Sequence, residues 1–402
     1  MESIKLPENV EFIINILNNK GFEAYIVGGC VRDYLLGKTP KDWDITTSAL
    51  PQQVKSAFSH TYDTGIEHGT VTVLIGKIGY EVTTYRIDGE YKDNRHPEKV
   101  IFTDKLTGDL SRRDFTVNAI AYSPKTGIVD RFDGMGDLKR GLIKAVGNAD
   151  QRFNEDALRM MRALRFSAQL NFEIEEETYS SIKKNAHLIK NISIERIRDE
   201  LLKLILSDNP LKVYELKATG ILSYVLSPLA QILEDNEAEI KACLAKVPKD
   251  TVNRLTLILY HLDKKALEKF LRNLRLDNKT VKDTVTLASF IKEPVEYNGY
   301  NIRKMISKSD YELTEAAVKL RCIIRDISPE KPIAVLASIK TNNHCCSLAD
   351  LDLKGEDLIA LGVPKGKQIG ELLNKCLDEV LKNPQINNKD YLIKEVCNLC
   401  TH

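Results

Sequence analysis

Near residue 150 the apolar residues change their period, and no other feature of the chain constrains its architecture as much. Between residues 23 and 145 they fall in short runs at 24–27, 71–75, 81–85, 100–102 and 128–132, separated by Gly, Pro, Asn and Asp. Runs of that length and punctuation predict strands. From about Asn154 they recur three and four apart, as in Leu158, Met161, Leu164 and Leu170 and again in Ile197, Leu201, Leu204 and Ile205. That spacing predicts helices. Asn209-Pro210, Ser227-Pro228, Ser328-Pro329 and Asn383-Pro384 mark helix ends or starts, and no internal repeat is evident. A chain of 402 residues also exceeds what one core usually serves. The expectation is an α/β head on an all-α stem.

A net charge of +1 excludes a globally basic protein, so any nucleic-acid contact must come from locally clustered Lys and Arg. Eight cysteines without a secretory signal fit reduced thiols, which places the chain in the cytoplasm. Cys345-Cys346, Cys397 and Cys400, with His344 and His402, lack the paired spacing of a zinc site. The apolar runs, such as 119–121 and 204–206, fall far short of the roughly 18 residues that cross a bilayer. No membrane association and no protein partner are expected.

The densest chemistry lies in Val27-Gly28-Gly29-Cys30-Val31-Arg32-Asp33, which follows a strand and opens a helix before Lys41-Asp42-Trp43-Asp44-Ile45. Two glycines let the backbone approach a phosphate. The helix start turns its N–H groups toward the same place, and Arg32 adds a guanidinium that grips phosphate oxygens. Asp42 and Asp44, two apart on a predicted strand, project from one face, where two carboxylates can hold a pair of Mg²⁺ ions about 4 Å apart. A lone glycine pair is ordinarily a turn, and a lone Asp-X-Asp ordinarily a solvated loop. Gly-Gly, then Arg, then Asp-X-Asp in this order is more specific.

This stretch resembles the active-site signature of the DNA polymerase β-like nucleotidyltransferases. Residues 28–48 resemble, more narrowly, the first motif of class II tRNA nucleotidyltransferases, shared with bacterial poly(A) polymerases. Glu81-Val82-Thr83-Thr84-Tyr85-Arg86 resembles the strand that supplies a third acidic residue, Glu81. Arg112-Arg113-Asp114-Phe115-Thr116-Val117-Asn118-Ala119 resembles the second motif, which makes Arg113 and Asp114 nucleotide contacts. Alone, Glu81 would read as a solvent-facing charge and Arg113-Asp114 as a surface pair at a helix start. Residues 88–103 resemble the flexible loop of these enzymes, and 130–138 the hinge-like motif closing the head. The resemblance implies a nucleotidyltransferase head at 1–145, a neck at 146–206, a body at 207–330 and a tail at 331–402, acting on tRNA with CTP, ATP and two Mg²⁺ ions.

Glu155-Asp156-Ala157-Leu158-Arg159 and the following Arg162 and Arg165 predict one helix with Asp156, Arg159 and Arg162 along one side. An exposed salt-bridged helix is the common explanation of such a pattern. The stretch also resembles the fourth motif of the family, whose Asp and Arg read the incoming base. A carboxylate accepts from the exocyclic amine that cytosine and adenine share, and repels the carbonyl that uracil and guanine carry there. By that reading Asp156 and Arg159 admit CTP and ATP, while Arg162 and Arg165 hold the triphosphate.

Residues 182–204 predict an amphipathic stem with a locally basic face, including Arg196, and 194–197 resemble the family's fifth motif. Gly362-Val363-Pro364-Lys365-Gly366-Lys367 resembles the tail loop of tRNA nucleotidyltransferases, where Lys365 and Lys367 would approach RNA. A helix-entry turn with two exposed lysines reads the same residues equally well. Residues 207–345 carry no usable motif, and the absence of a His-Asp dipeptide argues against a second, phosphohydrolase activity. Bacterial poly(A) polymerase ranks second, because residues 64–73 resemble the tRNA-specific version. A complete loop argues against addition of CC alone and leaves addition of A alone open. A catalytically silent RNA-binding protein on this scaffold is disfavoured by the intact acidic and basic set.

Overall fold

A computed structural model describes residues 4–88, 100–293 and 296–400. Compactness divides the chain once, into Met1–Leu233 and Glu234–His402, a coarser division than the four expected segments.

The first unit opens with helix α1 (Glu8–Asn19), which buries Val10, Ile13, Ile14 and Leu17 as one stripe. There follow β1 (Ala24–Val27), α2 (Gly29–Leu35), β2 (Ile45–Thr47), α3 (Pro51–Ala57), β3 (Thr61–Gly65), β4 (Thr70–Ile75), β5 (Ile78–Thr84), β6 (Arg86–Asp88) and β7 (Val100–Phe102). Then come α4 (Leu106–Ser111), β8 (Ile120–Ser123), β9 (Gly127–Asp130), α5 (Gly134–Arg140) and β10 (Leu142–Ile143). Seven strands form a mixed sheet in the order β3-β4-β5-β2-β1-β8-β9. Only β2 and β5 pair in parallel; every other neighbouring pair is antiparallel. The central strands β1, β2 and β8 are buried along their whole length, so they read as continuous runs without alternation. Edge strand β3, Thr-Tyr-Asp-Thr-Gly, is largely exposed and polar. The sequence-based strands at 24–27, 71–75, 81–85, 100–102 and 128–132 correspond to β1, β4, β5, β7 and β9 within a few residues. Strands β3 and β8 are among those outside that reading: β3 is polar, and β8, Ile-Ala-Tyr-Ser, ends on a buried serine and carries no alternation.

The helical part of the first unit begins with α6 (Ala149–Glu155) and α7 (Leu158–Leu170), then the short strand β11 (Glu173–Ile174), α8 (Glu176–Asn185) and α9 (Ile194–Ile205). Strand β11 pairs in parallel with β10, and α7 packs against α9. Two expectations need correction. The helix predicted through Asp156 is two helices, because Asp156 adopts extended dihedrals (φ −141°, ψ 103°) and its carboxylate accepts the Leu158 N–H at 3.1 Å. The Asp side chain competes for the backbone donor and restarts the helix. The stem predicted at 182–204 is also divided, with a 3₁₀ segment at Ala186–Asn191 between α8 and α9.

The described residues of the second unit contain helices and no strand. One buried cluster joins Ile302, Val318, Cys322, Leu336, Ile339 and Cys346. A second joins Leu353, Leu358, Leu372, Cys376, Val380 and Leu392. No helix among the described residues is long and apolar enough to cross a membrane.

Candidate active site

Gly28 sits between β1 and α2 with φ +80°, and its N–H bonds the Ile120 carbonyl at 3.1 Å. The positive φ favours glycine, and a Cβ there would stand 2.9 Å from Arg113 Nη1 and push that guanidinium aside. Gly29 begins α2, and one turn on Arg32 is 8% exposed. Its Nε and Nη2 donate to Asp33 Oδ1 at 2.8 and 2.7 Å, and its Nη1 to Asn118 Oδ1 at 2.6 Å.

The Val27 N–H bonds the Asp44 carbonyl at 3.0 Å, yet the strand itself begins at Ile45. Asp42 and Asp44 therefore lie on the approach to β2, a small correction to their predicted place on a strand. In the parallel register Ile45 stands beside Val82. One step back brings Asp44 beside Glu81, and both are exposed, as is Asp42. Although Asp44 reaches solvent, its surroundings strip water from the carboxyl and raise its pKa; the Arg113 charge opposes this and the Asp42 charge adds to it. Among the described residues no three His, Cys, Asp or Glu side chains are gathered closely enough to form a metal site. Asp42 and Asp44, close enough that the Asp42 charge is felt at Asp44, offer the hard carboxylate oxygens that Mg²⁺ prefers.

The second motif is anchored by a residue that sequence reasoning missed. Asp109, on α4, is fully buried; its Oδ1 accepts from Arg112 Nε and Nη2 at 3.0 and 2.7 Å, and its Oδ2 from Arg113 Nη2 at 3.3 Å. The i,i+3 and i,i+4 spacing of Asp109 to these arginines was the available signal. Arg113 remains lightly committed, with an Nε that has no hydrogen-bond partner among the described residues. Asp114 is the opposite case. Its Oδ1 accepts from the Phe115 N–H and Asn118 Nδ2, and its Oδ2 from Arg162 Nε and Nη2 at 2.8 and 2.6 Å. Burial alone would raise its pKa; the charge of Arg162, the Asn118 and Arg162 hydrogen bonds and the charge of Arg159 hold it well below the ordinary carboxylate range.

Through these bonds the helices after the head meet the head. Arg159 Nη2 donates to the Arg112 carbonyl at 2.9 Å, and its Nη1 to Glu155 Oε2 at 2.7 Å and to the Arg152 carbonyl at 3.3 Å. Asp156 is held by Arg196 of α9, Nη2 to Oδ2 at 2.8 Å and Nη1 to Oδ1 at 3.3 Å. Arg165 is 8% exposed and forms a 2.5 Å ion pair with Glu200. Glu155 and Glu200 are further partners that sequence reasoning missed. Glu155 lies three residues from Arg152 and four from Arg159, a legible spacing, whereas Glu200 lies 35 residues from Arg165 and no local signal points to it. In the second unit Lys365 is exposed in the turn before Gly366 (φ +144°), and Lys367, also exposed, lies 3.3 Å from Glu371. The two lysines are described within that unit alone. A cavity of about 360 Å³ lined by Lys144, Asp150, Glu175 and Lys184 contains none of the head or neck site residues.

This arrangement matches known families segment by segment. Residues 24–144 fit the Poly A polymerase head domain, 171–233 the RNA and SrmB binding site of polymerase A, and 249–396 tRNA nucleotidyltransferase domain 2. The CCA-adding enzyme of Ligilactobacillus salivarius is 38% identical over 394 residues, 95% of this chain and 94% of that one. The chain belongs to the CCA-adding enzyme family. The CCA-adding enzyme of Lactobacillus delbrueckii subsp. bulgaricus is 39% identical over 393 residues, 95% of each chain. A solved CCA-adding enzyme of Bacillus stearothermophilus, in complex with CTP, superposes with a TM-score of 0.84 at 31% identity and covers 99% of both chains. The polymerase β-like head followed by helices is thus the family's architecture, and membership extends over both compact units.

Proposed function

We propose that the chain builds CCA on the 3′ end of tRNA without a template, transferring nucleotides from CTP and ATP and releasing pyrophosphate. The observation that carries this reading is the bonding of the base-reading segment to the catalytic motif: Arg159 to the Arg112 carbonyl and Arg162 to Asp114. A base gripped by Asp156 and Arg159 would then be held in fixed relation to Arg113 and the carboxylates of the head. Asp42 and Asp44 would hold two Mg²⁺ ions, with Glu81 as third carboxylate; such ions activate the attacking 3′ hydroxyl and offset charge on the leaving pyrophosphate. Arg32, Arg113, Arg162 and Arg165 bind the triphosphate, and Gly28 and Gly29 leave it room. Asp114 acts by positioning Arg162.

Base choice follows from donor and acceptor counts. Asp156 Oδ1 accepts from both Arg196 and the Leu158 N–H, whereas Oδ2 accepts only the Arg196 bond among the described residues and keeps lone-pair capacity for an exocyclic amine. Arg159 spends three of about five N–H donors on Arg152, Glu155 and Arg112, so donors remain for ring acceptors. We assign 1–145 to the catalytic head, 146–206 to the base-reading neck, and 207–330 and 331–402 to a body and tail that hold tRNA, with Lys365 and Lys367 on its backbone. We assign the chain to the cytoplasm, supported by the unbridged, buried thiols of Cys30, Cys243, Cys322, Cys345, Cys346 and Cys376.

The test offers the purified protein four RNAs, tRNA lacking CCA, tRNA ending in C, tRNA ending in CC and an unstructured RNA, with CTP and ATP singly and together. Completion of all three tRNAs to CCA, abolished by EDTA and restored by Mg²⁺, is the expected outcome. Long A tails on the unstructured RNA would indicate a poly(A) polymerase, and extension of the CC-ended tRNA alone would indicate an enzyme that adds only A.

A further inference from the structure

Three guanidiniums of the proposed nucleotide site converge on one aromatic ring. Phe166, on α7, is 6% exposed. Arg32, Arg162 and Arg165 place their Cζ atoms 5.0, 5.3 and 3.9 Å from its ring centroid. Arg162 is four residues before Phe166, a spacing that helix geometry alone brings together, whereas Arg165, its sequence neighbour, reaches the ring by folding its side chain over it. Arg32 is different: it comes from α2 of the head, 134 residues earlier in the chain. The ring is fixed in turn by an edge-on contact with Phe115, next to Asp114, at 5.9 Å between centroids.

Three like charges within a few ångströms repel one another, and two features offset this. Each guanidinium has an acidic partner: Asp33 for Arg32, Asp114 for Arg162 and Glu200 for Arg165. The electron-rich π system of Phe166 attracts cations within about 6 Å, more strongly where water is excluded. Asp114 and Glu200 each act on both Arg162 and Arg165, Arg32 pairs with Asp33, and the ring lies within reach of all three guanidiniums.

We propose that Phe166 is a positioning residue for the triphosphate of the incoming nucleotide, its ring holding Arg32 of the head and Arg162 and Arg165 of α7 as one cationic set. This rests on the reading that these arginines bind the triphosphate. It assigns Phe166 no part in base choice, because Asp156 and Arg159 are held by other groups, Arg196, Glu155 and the Arg112 carbonyl.

The experiment measures kcat and KM for CTP and for ATP on tRNA lacking CCA or ending in CC, in wild type, Phe166→Leu, Phe166→Tyr and Arg32→Ala, with Tm alongside. Inhibition by inorganic tripolyphosphate gives a readout free of the base. Phe166→Leu keeps an apolar filling and removes the ring. It should raise both nucleotide KM values and the tripolyphosphate Ki together, by about tenfold, and leave the tRNA KM and the CTP to UTP ratio unchanged. Phe166→Tyr, which keeps the ring, should restore most of the affinity; Phe166→Met replaces Leu if Leu prevents folding. Unchanged KM and Ki in a folded Leu or Met variant would overturn the proposal, as would equal losses in Tyr and Leu. Arg32→Ala separates the two levels: if it leaves nucleotide KM unchanged, the triphosphate reading itself fails, whatever Phe166 does.

Discussion

Arg113 and Asp114 are adjacent in the sequence, yet Arg113 is tied by its Nη2 to Asp109 with its Nη1 beside Gly28, and Asp114 is 8% exposed with both oxygens engaged. The motif marks both as important and does not say which touches a nucleotide; that depends on Arg162, 48 residues away. The difference has a pH signature. The Asp114 carboxyl titrates below its ordinary value of 3.8 in the fold, so its stabilisation is present above that value and lost as pH falls through the depressed one. Asp114→Asn should therefore cost about 2–3 kcal/mol at neutral pH, less than a fully buried pair because Arg162 is one-third exposed. The gap to wild type in urea midpoints should hold down to about pH 4 and close below it. A gap independent of pH would show that Asp114 acts by packing alone.

At the scale of elements, sequence and structure part where one side chain overrides a period. Apolar spacing made α7 legible, but it ran on through Asp156, which is extended and accepts the Leu158 N–H just before the helix restarts. An Asp just before an apolar run is a helix-start signal, outweighed in the reading by the continuing period. The sheet was half legible. Buried β8 and polar β3 carry no alternation, while the parallel β2–β5 register, with Ile45 beside Val82, is a long-range pairing that no local pattern encodes. The loop predicted at 88–103 lies for the most part, at 89–99, outside the described residues. Its family resemblance implies the switch from CTP to ATP. Deleting several of its residues should leave tRNA ending in CC, read as product length on a sequencing gel. Equal loss of C and A addition would assign the loop a general structural role instead.

Across the whole molecule, function was legible where chemistry is concentrated and opaque where it is spread. The head motifs announced a nucleotidyltransferase, whereas the second unit, held by apolar clusters such as Leu353, Leu358 and Val380, offered only helical period and a glycine-rich turn. Packing of that kind specifies a fold without naming a ligand. The central claim is that a protein surface, Asp156 with Arg159, replaces a nucleic-acid template. The ratio of kcat/KM for CTP to that for UTP on tRNA lacking CCA, in wild type, Asp156→Ala and Arg159→Ala with Tm measured alongside, tests it most directly. Each lost polar pair should lower the ratio by about tenfold to a hundredfold, corresponding to roughly 1–3 kcal/mol of discrimination. Lower Tm with an unchanged ratio in both variants would contradict the claim and leave Asp156–Arg196 and Arg159–Glu155 as structural ion pairs alone.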